Sequence, residues 1–76
     1  MDQIDYKVIE IISSNLFQSS DLKLTTELDS IDGWSSIIYV LIIQELEEFY
    51  QISFPSEKLF DVETIGDLST LIKSLV

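Results

Sequence analysis

The sequence predicts an all-α fold, a small bundle of three main helices plus one short helix. Three observations carry that expectation. Near the N-terminus Ile4, Val8, Ile11 and Ile12 stand at i, i+4, i+7 and i+8, one face of a helix. In mid-chain the apolar run Ile37–Ile43 shows no alternation and continues in phase into Gln44, Glu45, Leu46, Glu47 and Glu48, which are good helix formers. Towards the C-terminus Thr64 precedes Asp67 by three positions, a capping-box-like start followed by Ile65, Leu68, Ile72 and Leu75 on one face. A chain of 76 residues is expected to form one domain, residues 1–76, with a core large enough to fold and too small for a deep enclosed active site.

The elements follow in order. In the first helix Asp5 and Glu10 fall off the Ile4/Val8/Ile11/Ile12 stripe and are expected at the surface. Ser13, Ser14 and Asn15 weaken the helix, and Leu16 and Phe17 are expected to pack at its end. From Gln18 to Trp34 no period is sustained and Ser, Thr, Asp and Gly dominate. This stretch reads as a long ordered loop pinned by Leu22, Leu24, Leu28 and Ile31, and loops of that length in small domains tend to be functional. The second helix should start at Ser35 or Ser36 and run to about Tyr50, with Tyr39, Ile42, Ile43, Leu46 and Tyr50 inward. Pro55 and Ser56 mark a new start, with Ser56 as N-cap of a short helix through Phe60. Leu59 and Phe60 are expected to join Ile65, Leu68 and Ile72 in the core.

Composition excludes several function classes. Four Lys and no Arg face fourteen Asp and Glu, for a net charge of −10. Such a surface repels nucleic-acid phosphates and anionic lipid and steers towards basic patches on partner proteins. There is neither Cys nor His, so disulfides, the usual zinc sites, and Ser-His or Cys-His catalysis are all excluded. The start Met1-Asp2-Gln3-Ile4-Asp5 lacks the basic residues of a signal peptide, and the run Ile37–Ile43 is far too short to span a bilayer. A monomeric cytoplasmic protein is expected. A calcium loop around Asp29, Asp32 and Gly33 fails, because its register places Leu28 and Tyr39 at ligand positions. A hydrolase fails as well, since Ser36 has no nearby base.

One order of motifs is more specific. Gly33-Trp34-Ser35-Ser36-Ile37 is followed by Leu46-Glu47-Glu48-Phe49-Tyr50, by Ile52-Ser53-Phe54-Pro55, and by Thr64-Ile65-Gly66-Asp67-Leu68, with Tyr50 fourteen positions after Ser36. That order and spacing resemble the acyl carrier proteins and their carrier-domain relatives over nearly the whole chain. The resemblance implies an acyl-carrier-like bundle with Ser36 esterified by 4′-phosphopantetheine from coenzyme A. It implies a phosphopantetheinyl transferase as one partner, and acyl-transferring, synthase or ligase enzymes as others. The protein would hold an acyl or related intermediate as a thioester on the arm, and would itself catalyse nothing. Two departures accompany the match. Ser35 stands where the family has Asp, and the outward start of the second helix carries Ile37, Ile38, Val40 and Leu41 in place of acids.

The residues agree with this chemistry on their own terms. A helix start presents unpaired amides and the positive end of the helix dipole, which stabilise a phosphate. An arm bearing its own thiol also needs no cysteine in the chain. Read alone, Ser36 would be an ordinary first-turn serine. Trp34 could shield the site or simply anchor a loop, and Glu45 and Glu48 could dock basic partners or form a solvated face. The expected partner surface is Trp34, Ile37, Ile38, Val40, Leu41, Glu45 and Glu48. The rival reading is an unmodified carrier-fold module that binds proteins through the apolar start of the second helix.

Overall fold

The computed structural model describes residues 1–16 and 21–76. It contains helices α1 (Gln3–Ser14), α2 (Ser36–Tyr50), α3 (Ser56–Leu59) and α4 (Ile65–Leu75), with a single 3₁₀ turn at Leu28–Ser30. The only pairing of strand type among the described residues is an isolated antiparallel bridge between Glu27 and Thr64. The all-α expectation holds, with three main helices and one of a single turn. What was expected of Phe17 and of loop residues 18–20 lies outside the described residues.

Each of the three long helices begins where a side chain can accept an otherwise unpaired amide. Asp2 caps α1, and the carboxylate of Asp5 returns to the Asp2 amide, a reciprocal capping box. Thr64 and Asp67 form the second such box at α4, as their spacing predicts. At α2 the cap is Ser35, whose hydroxyl accepts the Ile38 amide at 3.2 Å. This resolves the two predicted starts: Ser35 is the cap and Ser36 the first helical residue. The C-terminus of α2 closes through Gln51 in the left-handed region at φ 57°, whose amide reaches the Glu47 carbonyl.

Ser56 does not cap α3. It is the first helical residue, Pro55 occupies the cap without a side-chain bond, and the Pro55 carbonyl accepts the amides of Lys58 and Leu59. A proline carbonyl is as good an acceptor as any other, so a one-turn helix needs no more.

The core joins Val8, Ile11 and Ile12 of α1, Ile42, Ile43 and Leu46 of α2, and Ile65, Leu68 and Ile72 of α4, with Leu28, Ile31 and Phe54 from the connections. Tyr39, Tyr50, Leu16, Leu22, Leu24, Leu59 and Leu75 pack half-buried against it. Phe60 departs from expectation: it is 86% exposed. The single turn α3 buries none of its own residues, whereas Phe54, six positions earlier, is buried in the core.

Asp5 also departs from expectation. It is buried, because it lies at i−3 and i−7 from Val8 and Ile12 and so shares their inward face. Helix α4 supplies what a buried carboxylate requires. The Ser69 hydroxyl donates to Asp5 Oδ1, and Lys73 Nζ lies 3.1 Å from Asp5 Oδ1 and 2.7 Å from Asp2 Oδ2. The Ser69 hydrogen bond, followed by those from Lys73 and the Asp2 amide, lowers the Asp5 pKa from 3.8 to about 2 against the opposing effect of burial. Two ends of the chain are thereby held by one polar cluster.

The long connection between α1 and α2 is fastened to the start of α4. The Gly66 amide donates to the Leu24 carbonyl at 2.8 Å, Ile65 to Thr26 at 3.1 Å, and Leu28 to the Glu63 carbonyl at 2.9 Å. A Cβ on Gly66 would sit 2.9 Å from the Leu24 carbonyl oxygen, so glycine permits this approach.

Two measurements check these contacts. Gly66→Ala should lose about 1–3 kcal/mol in chemical denaturation through overpacking against the Leu24 backbone. Acid unfolding tests the carboxylate. The folded-state pKa of Asp5 is lowered, so its stabilisation is present above the ordinary value of 3.8 and lost as pH falls towards about 2. Between those limits the native chain should lose more stability than Asp5→Asn, and parallel curves would show that the cluster adds nothing.

Candidate functional site

The connection from α1 delivers a tight turn to the start of α2. Ile31 is buried, the Trp34 amide donates to the Ile31 carbonyl at 3.1 Å, and Gly33 between them has φ +85°. That region is strained for any residue with a Cβ, so the glycine of Gly33-Trp34-Ser35-Ser36 is required by the backbone. The turn leaves Trp34 half-buried against the core, its ring centroid 5.6 Å from that of Tyr39. The Tyr39 hydroxyl in turn donates to the Leu59 carbonyl at 3.3 Å, joining α2 to α3, and partial burial raises the pKa of its phenol. Trp34 is therefore an anchor that fixes the end of the loop.

The two serines that follow have different surroundings. Ser35 Oγ is engaged as the cap, and the Ser35 carbonyl accepts the Tyr39 amide at 3.0 Å. Ser36 is exposed at the first helical position. With the Ile38 and Tyr39 amides taken by Ser35, the Ser36 and Ile37 amides are the ones that the helix start turns outward. No acid stands in the first turn of α2, whereas Asp5 and Asp67 occupy the first turns of α1 and α4. In a chain of net charge −10 this is a helix start at which an added phosphodiester meets dipole and amides without a carboxylate in the same turn. The residues present fit a phosphate ester on the exposed hydroxyl of Ser36.

The expected partner surface divides into parts. Ile37, Val40 and Leu41 are exposed (73%, 53% and 43%) on the outward face of α2 beside Ser36. Ile38 turns to the side and packs half-buried against the core, so it belongs less to the surface than its neighbours. Glu45 and Glu48 lie one to two turns further along. They face α1, lining a groove with Lys7, Glu10 and Phe49, and Glu45 Oε1 accepts from Asn15 Nδ2 at 3.1 Å. Gln44 was not singled out from the sequence, although it lines the apolar groove beside Ser36; its i+8 spacing from Ser36 is the signal that places it there.

Two comparisons with known proteins bear on this site. The family described as "Phosphopantetheine attachment site" matches residues 7–72. A probable acyl carrier protein of Caulobacter vibrioides (strain NA1000 / CB15N) is 50% identical over 40 residues, which cover 53% of this chain and 46% of that protein. The chain thus spans about half the length of the curated relative it matches. No solved structure matches the chain significantly. Because the family match runs from Lys7 to Ile72, across all three main helices and the start of α2, the chain belongs to the phosphopantetheine-binding carrier domains of the acyl carrier type, whose covalent prosthetic group is 4′-phosphopantetheine.

Proposed function

We propose that the protein is an acyl carrier in which Ser36 bears the 4′-phosphopantetheine arm and presents an acyl or related intermediate to partner enzymes in the cytoplasm. The observation that carries this reading is the exposed Ser36 hydroxyl at the acid-free start of α2, inside the span of the family match. When attached, the arm supplies the thiol that this cysteine-free chain lacks. The chain's own residues hold the phosphodiester through the helix start and fix its position through the Ser35 cap and the Trp34 anchor. Catalysis belongs to the partners: the phosphopantetheinyl transferase that loads Ser36, and the acyl-transferring, synthase or ligase enzymes that act on the cargo.

Those partners would read Ile37, Val40 and Leu41 first, with Trp34 and Ile38 supporting the patch from beneath. Glu45 and Glu48 would meet basic residues apart from this patch, along the groove that they share with α1. An apolar centre in place of an acidic one suits a carrier dedicated to one pathway better than a housekeeping carrier. Among the described residues no helix is long and apolar enough to cross a membrane.

One substitution favours a second reading, that of an unmodified interaction module: Ser35 replaces the aspartate usual before the carrier serine. Intact mass after incubation with coenzyme A and a broad-specificity transferase separates the two. One phosphopantetheine addition is expected, kept in Ser35→Ala and lost in Ser36→Ala. Stability should respond in the opposite sense. Ser35→Ala removes the α2 cap and should cost about 1 kcal/mol, while Ser36→Ala should leave the denaturation midpoint nearly unchanged. No addition under conditions that modify a known carrier would leave the module reading standing.

A further inference from the structure

Beside Ser36 the outer face of α2 carries a shallow groove of about 300 Å³, lined among the described residues by Ser36, Ile37, Val40, Leu41 and Gln44. These positions are i, i+1, i+4, i+5 and i+8, one continuous strip of helix surface about 12 Å long with Ser36 at its N-terminal end. The strip is apolar apart from its two ends, the serine and the amide of Gln44. We propose that this groove is the resting site of the chain's own prosthetic arm. Ile37, Val40 and Leu41 pack against the arm's geminal dimethyl segment, and Gln44 hydrogen-bonds an amide further along the arm. The inference rests on attachment at Ser36.

Three features favour this occupant. Ser36 is itself part of the lining, so an arm fixed there faces the groove at an effective concentration on the order of millimolar, which a free partner must exceed to displace it. Side chains on a helix lean towards its N-terminus, so Val40 and Leu41 cover the surface nearest the attachment point. The alternative resting place, the core behind α2, is closed: Ile42 and Leu46 are fully buried against Val8, Ile12, Ile65, Leu68 and Ile72. Entry there requires parting the packed helices, whereas the groove is open already. Exposed apolar surface beside an attached, partly apolar arm is surface that the arm itself covers between encounters. A partner enzyme that binds Ile37, Val40 and Leu41 thereby releases the arm, coupling docking to delivery.

The test is isotope-edited NMR on the full chain with labelled methyl groups, in the unmodified form and after loading from coenzyme A, each checked by intact mass. In loaded protein, nuclear Overhauser contacts are expected from the arm's geminal methyls to the methyls of Ile37, Val40 and Leu41. These contacts should be lost in loaded Val40→Asp, with core methyl shifts unchanged because Val40 is on the surface. Loaded protein with no such contacts, or with contacts to Ile42, Leu46 or Ile65 instead, overturns the proposal. So do methyl shifts at Ile37 and Val40 that move with protein concentration in the unmodified chain, which would make a second copy the occupant. Failure to load at all is a different result: it removes Ser36 as the attachment residue, and with it the premise.

Discussion

The hydrogen bonds between the long connection and the first turn of α4 are what the rest of the structure depends on. Leu24 and Thr26 give their carbonyls to Gly66 and Ile65, and Leu28 takes the Glu63 carbonyl. An α-helix start always has unpaired amides, and a loop always has carbonyls in need of donors, so each solves the other's problem. The consequence reaches beyond α4. Once the loop is fixed at these points, Leu28 and Ile31 enter the core, and the turn at Gly33 follows at a set distance along the chain. The exposed serine at the start of α2 is therefore positioned by a contact made with the opposite end of the sequence.

Helix starts are used here in two ways. At α1 and α4 the first turn is closed by reciprocal carboxylate boxes, and at α4 by loop carbonyls as well. At α2 a neutral serine serves as cap, leaving the first turn open and without an acid. A carboxylate and a phosphodiester compete for the same amides and the same dipole, so a helix start that receives an anion gains from a neutral cap. Ser35 in place of the family's aspartate has this electrostatic consequence whatever its effect on the modifying enzyme. The strongly acidic surface lies elsewhere, and α2 presents an apolar strip where a charged one would be expected from composition alone.

The isoleucine-rich core and the Asp5–Ser69–Lys73 cluster hold the helices against one another. Core residues at full burial leave α1 in close contact with both α2 and α4, and the polar cluster fixes the pairing of α1 with α4 through directional bonds that apolar packing does not supply. A carrier must expose its attachment site to several enzymes without unfolding. The sealed core leaves Ser36 with Ile37, Val40 and Leu41 exposed on one outer helix face.

The sequence by itself determined the elements: the periodicity of Ile4, Val8, Ile11 and Ile12, the phase of the run from Ile37 to Leu46, and the Thr64–Asp67 box are local patterns, and local hydrogen bonding and face burial decide them. It also singled out Ser36, because motif order and spacing are properties of the chain alone. Tertiary structure decided what depends on a neighbour distant in sequence. Asp5 looked like a surface acid until α4 brought Ser69 and Lys73 to it. Phe60 has the side chain of a core residue, but the one-turn α3 leaves it outside. Ile38 and Trp34 separated from Ile37, Val40 and Leu41 only when the helix acquired a buried side, and Gln44 joined them by the same rotation. Side-chain pattern along a chain records what each residue prefers; which preference is met depends on what packs against it.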